Sequence, residues 1–317
     1  MDPLKDLLPN PLSDEAFAKI DAETDYGPAL HLVAERAGIH AAATPKRFAD
    51  GSLPVFALGE YVVKLYPPSC AEEHHNERAV LEAVEGALSI GTPEVKAAGA
   101  LDAWHYLVMT RLRGRPMRSC FDELSAADRT RLSTRLGEAI LQLRAVDTPR
   151  FLHEDWFTLL ARRRAGCVEH HSKRGLAPVW LNRIAPFLDE TLPSLMTAPP
   201  HSLLHTEVMR EHVFVDLVAG RFALSGLVDF DPSRVGPPEL ELASAGLFFA
   251  EGDAAMWSAF LDGLGVPANE RGLALARRCM AWALLHKYAN LHAWLERLPP
   301  RSARRSFDEL ALEWFGA

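Results

Sequence analysis

Ionisable side chains crowd one short stretch: His205, Glu207, Glu211 and His212 fall within SLLHTEVMREHVFVD (202–216). A second run, LVDFD (227–231), carries Asp229 and Asp231. Apolar residues border both runs and suit buried strands, where an unpartnered charge costs several kcal/mol. Acids at the ends of buried strands, converging from two loops, form a divalent-cation and proton-transfer site. A set of loop charges that merely borders the core is the alternative. It leaves unexplained why His205 follows Leu203 and Leu204, and why Asp229 and Asp231 straddle Phe230.

Lys64 is a third candidate. In YVVKLY (61–66), strand alternation puts Val62 and Lys64 on one face and Val63 and Leu65 on the other. Such a lysine either snorkels from an edge strand or is held inward to grip phosphates. Glu77, in the predicted helix AEEHHNERAVLEAVEG (71–86), offers the partner that kinases use to fix a strand lysine against a nucleotide. The turn ADGSLP (49–54) could lay the backbone N–H groups of Asp50, Gly51 and Ser52 over phosphates. It reads equally well as an ordinary hairpin turn.

The elements that must position these residues change character along the chain. Residues 14–38 read as helix with a break near DYGP. Two hairpin signals follow, KRFAD and PVFAL around GSL, then GE leading into YVVKLY. The helix 71–86 ends at a glycine stop, and EVKAAGAL and HYLVMTRL read as a further strand pair. RGRPMRS (113–119) reads as a loop. Helices are expected over roughly 122–146, 154–170, 178–190, 239–250, 254–264, 270–296 and 306–314, around one β island, HVFVDLVAGRFALSGLVDFD. The expected organisation is a strand-rich lobe over 1–112, a linker over 113–119 and a larger helical lobe over 120–317, with a ligand cleft between the lobes.

Composition narrows the classes. With 317 residues, 48% of them hydrophobic, the chain can bury a large core. Its 34 basic against 42 acidic residues give a net charge of −8, which argues against a general nucleic-acid binder and suits a cationic small substrate. The basic clusters ARRRAG (161–166) and RSARR (301–305) read as solvated helix faces. Cys70, Cys120, Cys167 and Cys279 form no CxxC pair, so neither a zinc site nor a disulfide framework is expected, and four free thiols fit a reducing cytoplasm. The N-terminal run MDPLKDLLPNPLSDEAF lacks the apolar stretch of a signal peptide, and no 18-residue apolar segment suggests a membrane span.

From RFADGSLPVFALGEYVVKLY to WALLHKYANLHAWLE the chain resembles the aminoglycoside phosphotransferase branch of the protein-kinase-like fold, and hygromycin B kinases in particular. The resemblance implies an α+β bilobal fold, with a small strand-rich N-lobe and a larger helical C-lobe. The family's catalytic loop, His-x-Asp-x-x-x-x-Asn, falls on His205, Glu207 and His212, and its metal-binding Asp on Asp229. YLVMTRLRGRPM looks like the hinge, with Arg111 and Leu112 presenting backbone groups to the base and Met109 behind it. GPPELELA (236–243) looks like the helix start that follows the metal Asp.

The resemblance implies phosphoryl transfer from ATP or GTP, with Mg²⁺ or Mn²⁺, to a hydroxyl of a cationic acceptor such as hygromycin B. Asp231, Glu239, Glu241, Glu251 and Asp253 are the acids expected to meet the acceptor's ammonium groups. The family also takes choline-like, amino-acid and sugar substrates. Two departures stand out. Glu207 replaces the catalytic Asp with similar acid–base character and about 1 Å more reach. His212 replaces an oxygen ligand with a nitrogen that Mn²⁺ tolerates better than Mg²⁺, and the neighbouring Glu211 could supply the missing oxygen. These departures also permit a pseudokinase that binds nucleotide without transferring phosphate. A protein kinase is disfavoured by the short interval between DFD and GPPELE. Oligomeric state is open.

Overall fold

A computed structural model describes residues 7–39, 44–49, 51–148, 152, 155–196, 201–301 and 306–316. Asp50 and most of the RSARR cluster lie outside the described residues. The chain divides into two compact units. The first comprises 1–86, 91–113 and 227–232; the second comprises 87–90, 114–226 and 233–317.

The first unit begins with α1 (Asp14–Ile20) and α2 (Gly27–Arg36). Ser13 caps α1, its Oγ accepting the Ala16 N–H. Phe17 and Tyr26 meet the Trp104 ring edge-on, which anchors this helical segment to the sheet. Strands β1 (Lys46–Arg47), β2 (Val55–Leu58) and β3 (Tyr61–Tyr66) precede α3 (Ala71–Val84), and β4 (Val95–Leu101) and β5 (Trp104–Thr110) follow it. They form a five-stranded antiparallel sheet in the order β1-β2-β3-β5-β4. β3 is therefore an interior strand, and Lys64 sits between Val55 and Leu107 in register. That placement removes the edge-strand alternative for Lys64. Residues 227–232 join this unit, and the Leu227 N–H donates to the Gly91 carbonyl at 3.0 Å.

The second unit runs through β6 (Arg115–Pro116), α4 (Met117–Cys120), α5 (Ala126–Leu143), α6 (Trp156–Lys173), α7 (Pro178–Leu195), β7 (Ser202–Leu204), β8 (Val213–Val218), β9 (Arg221–Leu227) and β10 (Arg234–Gly236). β9 reaches the unit boundary at its last residue. Helices α8 (Leu240–Ser244), α9 (Ala254–Gly263), α10 (Leu273–Leu285), α11 (Leu291–Arg297) and α12 (Phe307–Phe315) complete it. β6, β8 and β9 make one small sheet, and β7 and β10 another. The β8–β9 hairpin turns through Ala219 and Gly220, both with positive φ, the backbone that a two-residue hairpin requires.

The expected α+β architecture is observed, with strands in the N-terminal part and helices dominating the C-terminal part. Local expectations fail in three places. RGRPMRS is not a plain loop: Arg115–Pro116 pairs with β8 and Met117–Cys120 is helical. The helix expected over 239–250 changes to π-helical winding over Ala245–Ala250. The single helix expected over 270–296 breaks after Leu285, because His286 turns extended and Asn290 caps α11 by accepting the Ala293 N–H. Among the described residues no helix is long and apolar enough to cross a membrane.

α5 and α9 cross at a pair of glycines. A Cβ on Gly137 would lie 2.2 Å from the Phe260 carbonyl oxygen, and one on Gly263 would lie 1.9 Å from that of Thr134. Backbone stands on both sides, so no side chain can swing away. Gly263→Ala is expected to cost about 1–3 kcal/mol through overpacking, read as a lower urea midpoint with an unchanged slope. An unchanged midpoint would show that the two helices separate without penalty.

Candidate active site

Burial of Lys64 organises the first unit's polar centre. Its side chain is only 7% exposed, and Nζ lies 2.8 Å from Glu77, 2.7 Å from Asp229 and 3.1 Å from Asp231. Burial alone would lower the lysine pKa, but the carboxylates of Asp229 and Glu77, with Tyr66 and Asp231 behind them, raise it well above the ordinary value. The ammonium therefore stays charged. Glu77 reaches it from the middle of α3 and also accepts the Tyr66 hydroxyl and the Phe230 N–H. Burial pushes the Glu77 carboxyl up; Lys64 opposes this, while Asp229 and Asp231 add to it.

One ammonium against three carboxylates leaves two negative charges in surplus when all are ionised. Oxygen atoms of Glu77, Asp229 and Asp231 lie within 4.8 Å of one another. An all-oxygen, doubly negative set suits a hard divalent cation such as Mg²⁺. Asp229 adopts φ 68°, a left-handed conformation that Asp tolerates better than most residues.

The second unit builds the loop between β7 and β8. His205 is fully buried, and its Nδ1 accepts the Glu207 N–H at 3.3 Å, so the ring proton resides on Nε2. His212 Nδ1 donates to the Glu207 carbonyl at 3.0 Å, which leaves Nε2 as the lone-pair nitrogen. Thr206 sits between them at φ 68°, a rare backbone for a β-branched residue. Glu241 holds this strained point: its two oxygens accept the N–H groups of His205 and Thr206 at 2.7 and 2.8 Å. The Val208 N–H donates to Ser244 Oγ at 3.2 Å.

Glu241 was expected among the acids that greet a cationic substrate. It is instead fully buried and committed to the backbone of the loop. Asp231 is likewise committed to Lys64. Glu251 is enclosed by Arg118, Arg210 and Arg297, and Asp253 caps α9. Glu239 pairs with Arg278 at 2.9 Å but keeps a third of its side chain exposed. Glu211 pairs with Arg118 at 2.8 Å.

Met109 is buried in β5 opposite Val62, and Arg111 and Leu112 follow the strand end. The Arg111 N–H already donates to the Glu60 carbonyl at 2.9 Å, which leaves its carbonyl as the group to offer a base. Gly51 has φ 116° and, like Ser52, is exposed in the turn before β2. Sequence reasoning missed Tyr66, Ser244 and Arg210. Tyr66 had a signal, since it stands two residues after Lys64 on the same strand face.

Residues 44–278 match the phosphotransferase enzyme family. The chain belongs to that family, whose members move phosphate groups. Solved structures with the same fold include the GDP complex of wild-type aminoglycoside 2'-phosphotransferase-IIIa, at 14% identity and TM-score 0.64, covering 86% of this chain and 96% of that one. The streptomycin–ATP–APH(2'')-IIa ternary complex shares 14% identity at TM-score 0.61, over 86% and 95% of the two chains. A Streptomyces rimosus aminoglycoside phosphotransferase bound to ADP and streptomycin shares 15% at TM-score 0.58, over 82% and 98%. The fold is thus the protein-kinase-like one of the aminoglycoside phosphotransferases.

Burial raises the Glu241 carboxyl to about 7, against the opposing pull of the His205 N–H, Arg144 and the Thr206 N–H. A carboxyl with a raised folded pKa binds its proton more tightly in the folded state, so it adds stability at low pH and loses it as pH rises towards 7. On going from pH 7.5 to pH 5 the wild type should gain about 2 kcal/mol relative to Glu241→Gln, measured by denaturant unfolding. Parallel pH profiles would mean that the two N–H donors keep Glu241 ionised throughout.

Proposed function

We propose that the protein moves the γ-phosphate of ATP or GTP to a hydroxyl of an aminoglycoside-type acceptor, with hygromycin B the first candidate. The observation that carries the reading is the buried Lys64, held by Glu77 and Asp229 in a chain of the phosphotransferase enzyme family. A strand lysine fixed by a helix glutamate presents a rigid cation to phosphate oxygens. The Arg111 carbonyl and the Leu112 backbone bind the base, and Met109 lies beneath it. The exposed turn at Gly51 and Ser52 covers the phosphates.

Asp229 would hold a divalent cation with Asp231 in support, and His212 Nε2 is proposed as a nitrogen ligand. Bound there, the cation neutralises charge on the transferring phosphate. Glu207 orients the acceptor hydroxyl and takes its proton late in a loose transition state. His205 braces Glu207 through the N–H it accepts and does no chemistry itself. With Glu241 and Asp231 engaged elsewhere, Glu239 is the acid that meets the acceptor's ammonium groups, exchanging its Arg278 partner for them.

A mass-shift screen for phosphate transfer across aminoglycosides, choline-like amines and sugars tests the reading. Glu207→Gln should lower turnover on the order of 10²–10⁴-fold with nucleotide binding nearly unchanged. Asp229→Asn should lose most metal-dependent turnover, and Mn²⁺ affinity with it. If Asp231→Asn is the damaging change and Asp229→Asn is not, the cation site lies two residues further on. Nucleotide binding without transfer to any acceptor would instead identify a pseudokinase.

A further inference from the structure

Arg210 lies between Glu207 and His212, and its side chain is 5% exposed. Its Nε donates to the Phe249 carbonyl at 2.7 Å and one terminal nitrogen to that of Ala250 at 3.1 Å. The other terminal nitrogen pairs with Glu251 at 2.8 Å. The guanidinium lies over the Phe121 ring, 3.5 Å from its centroid. The Arg210 N–H donates to the Phe248 carbonyl, and its carbonyl accepts the Arg118 N–H. Arg210 thus caps the carbonyls that the end of a helical run leaves unpaired. Burial lowers its pKa to about 10 against the pull of Glu251, so it is charged at neutral pH.

Glu251, in a left-handed conformation, is also met by Arg118 and Arg297. Arg118 in turn holds Glu211, the neighbour of His212. With three arginines against two glutamates, this cluster repels a polycationic acceptor and is no substrate pocket. What it touches is the loop. The His212 and Val213 N–H groups both donate to the Met209 carbonyl, at 3.0 and 3.1 Å, and His212 Nδ1 returns to the Glu207 carbonyl. Glu241 secures the upstream end of this turn, and Arg210 the downstream end.

We propose that Arg210, clamped by Glu251 and the π-helical carbonyls, is a positioning residue that fixes the Glu207–His212 turn for phosphoryl transfer. This rests on the reading of Glu207 as the base. A base displaced by about 1 Å loses on the order of a hundredfold in rate, and Glu207 stands in the loop between β7 and β8, so its position follows that of the turn.

Arg210→Lys tests the proposal, since lysine keeps the charge but lacks the planar fork that spans three acceptors. Turnover is measured with the best acceptor of the screen, and with water as acceptor through phosphate release from ATP and GTP. Hydrogen exchange is followed at the Val208, His212 and Val213 amides. The expected results are a kcat about 10–100-fold lower, a nucleotide KM within about twofold, and faster exchange at those amides with α10 unchanged. In a Glu207→Gln background Arg210→Lys should cost little more, because the two act as one unit. Glu251→Gln, which keeps side-chain volume, should show the same pattern more weakly and serves if Arg210→Lys fails to fold. Unchanged kcat and exchange, or a full additional loss in the Glu207→Gln background, would overturn the proposal. Wild-type turnover in Glu207→Gln alone would instead overturn the base assignment.

Discussion

A lysine ammonium cannot be taken out of water alone, and the need to compensate Lys64 shapes the first unit. β3 must be an interior strand so that the lysine is enclosed, and α3 must run past it so that Glu77 can reach. A distant piece of chain must then return to bring Asp229 and Asp231. Each carboxylate needs the lysine in turn, because three acids this close repel one another. The cluster is therefore held by mutual dependence, with a surplus of negative charge that an incoming cation can satisfy. One electrostatic arrangement thus combines a fixed buried cation with an excess of acidic oxygens.

Much of that arrangement was legible. The period-two pattern of YVVKLY assigned Lys64 to a face, and the glycine-stopped helix at 71–86 offered Glu77 as one of several acids that could partner it. The apolar strand before Asp229 marked its end as a site. What stayed hidden were partners whose meeting depends on tertiary folding. Glu241 looks like any acid at the start of a helix, yet it turns inward to two backbone N–H groups of the loop. Arg210 and Glu251 are far apart in sequence and share no periodicity, so their pairing could not be read from spacing. The division of 270–296 was missed because His286–Asn290 lacks proline and glycine, while the break is held by side-chain bonds from His286, Asn290, His170 and His171 to backbone groups of the segment and of the first turn of α11.

Thr206 and Asp229 carry the same left-handed backbone, one in each unit; Thr206 stands between His205 and Glu207, and Asp229 itself pairs with Lys64. Strain of this kind persists where the surroundings over-determine it. At Thr206 the over-determination is explicit in the Glu241 carboxylate, and at the Asp229–Phe230 segment in the N–H bond to Glu77. Glu241 and Glu77 thus hold the backbone at the two turns that carry Glu207 and Asp229.

Residues 227–232 belong with the first unit although second-unit chain flanks them on both sides. The unit is therefore not a segment that can be cut out or exchanged at the 113–114 seam. A fragment ending at Arg113 would strand Lys64 and Glu77 without Asp229 and Asp231. A chimera joined there would set the lysine of one parent against the aspartates of another.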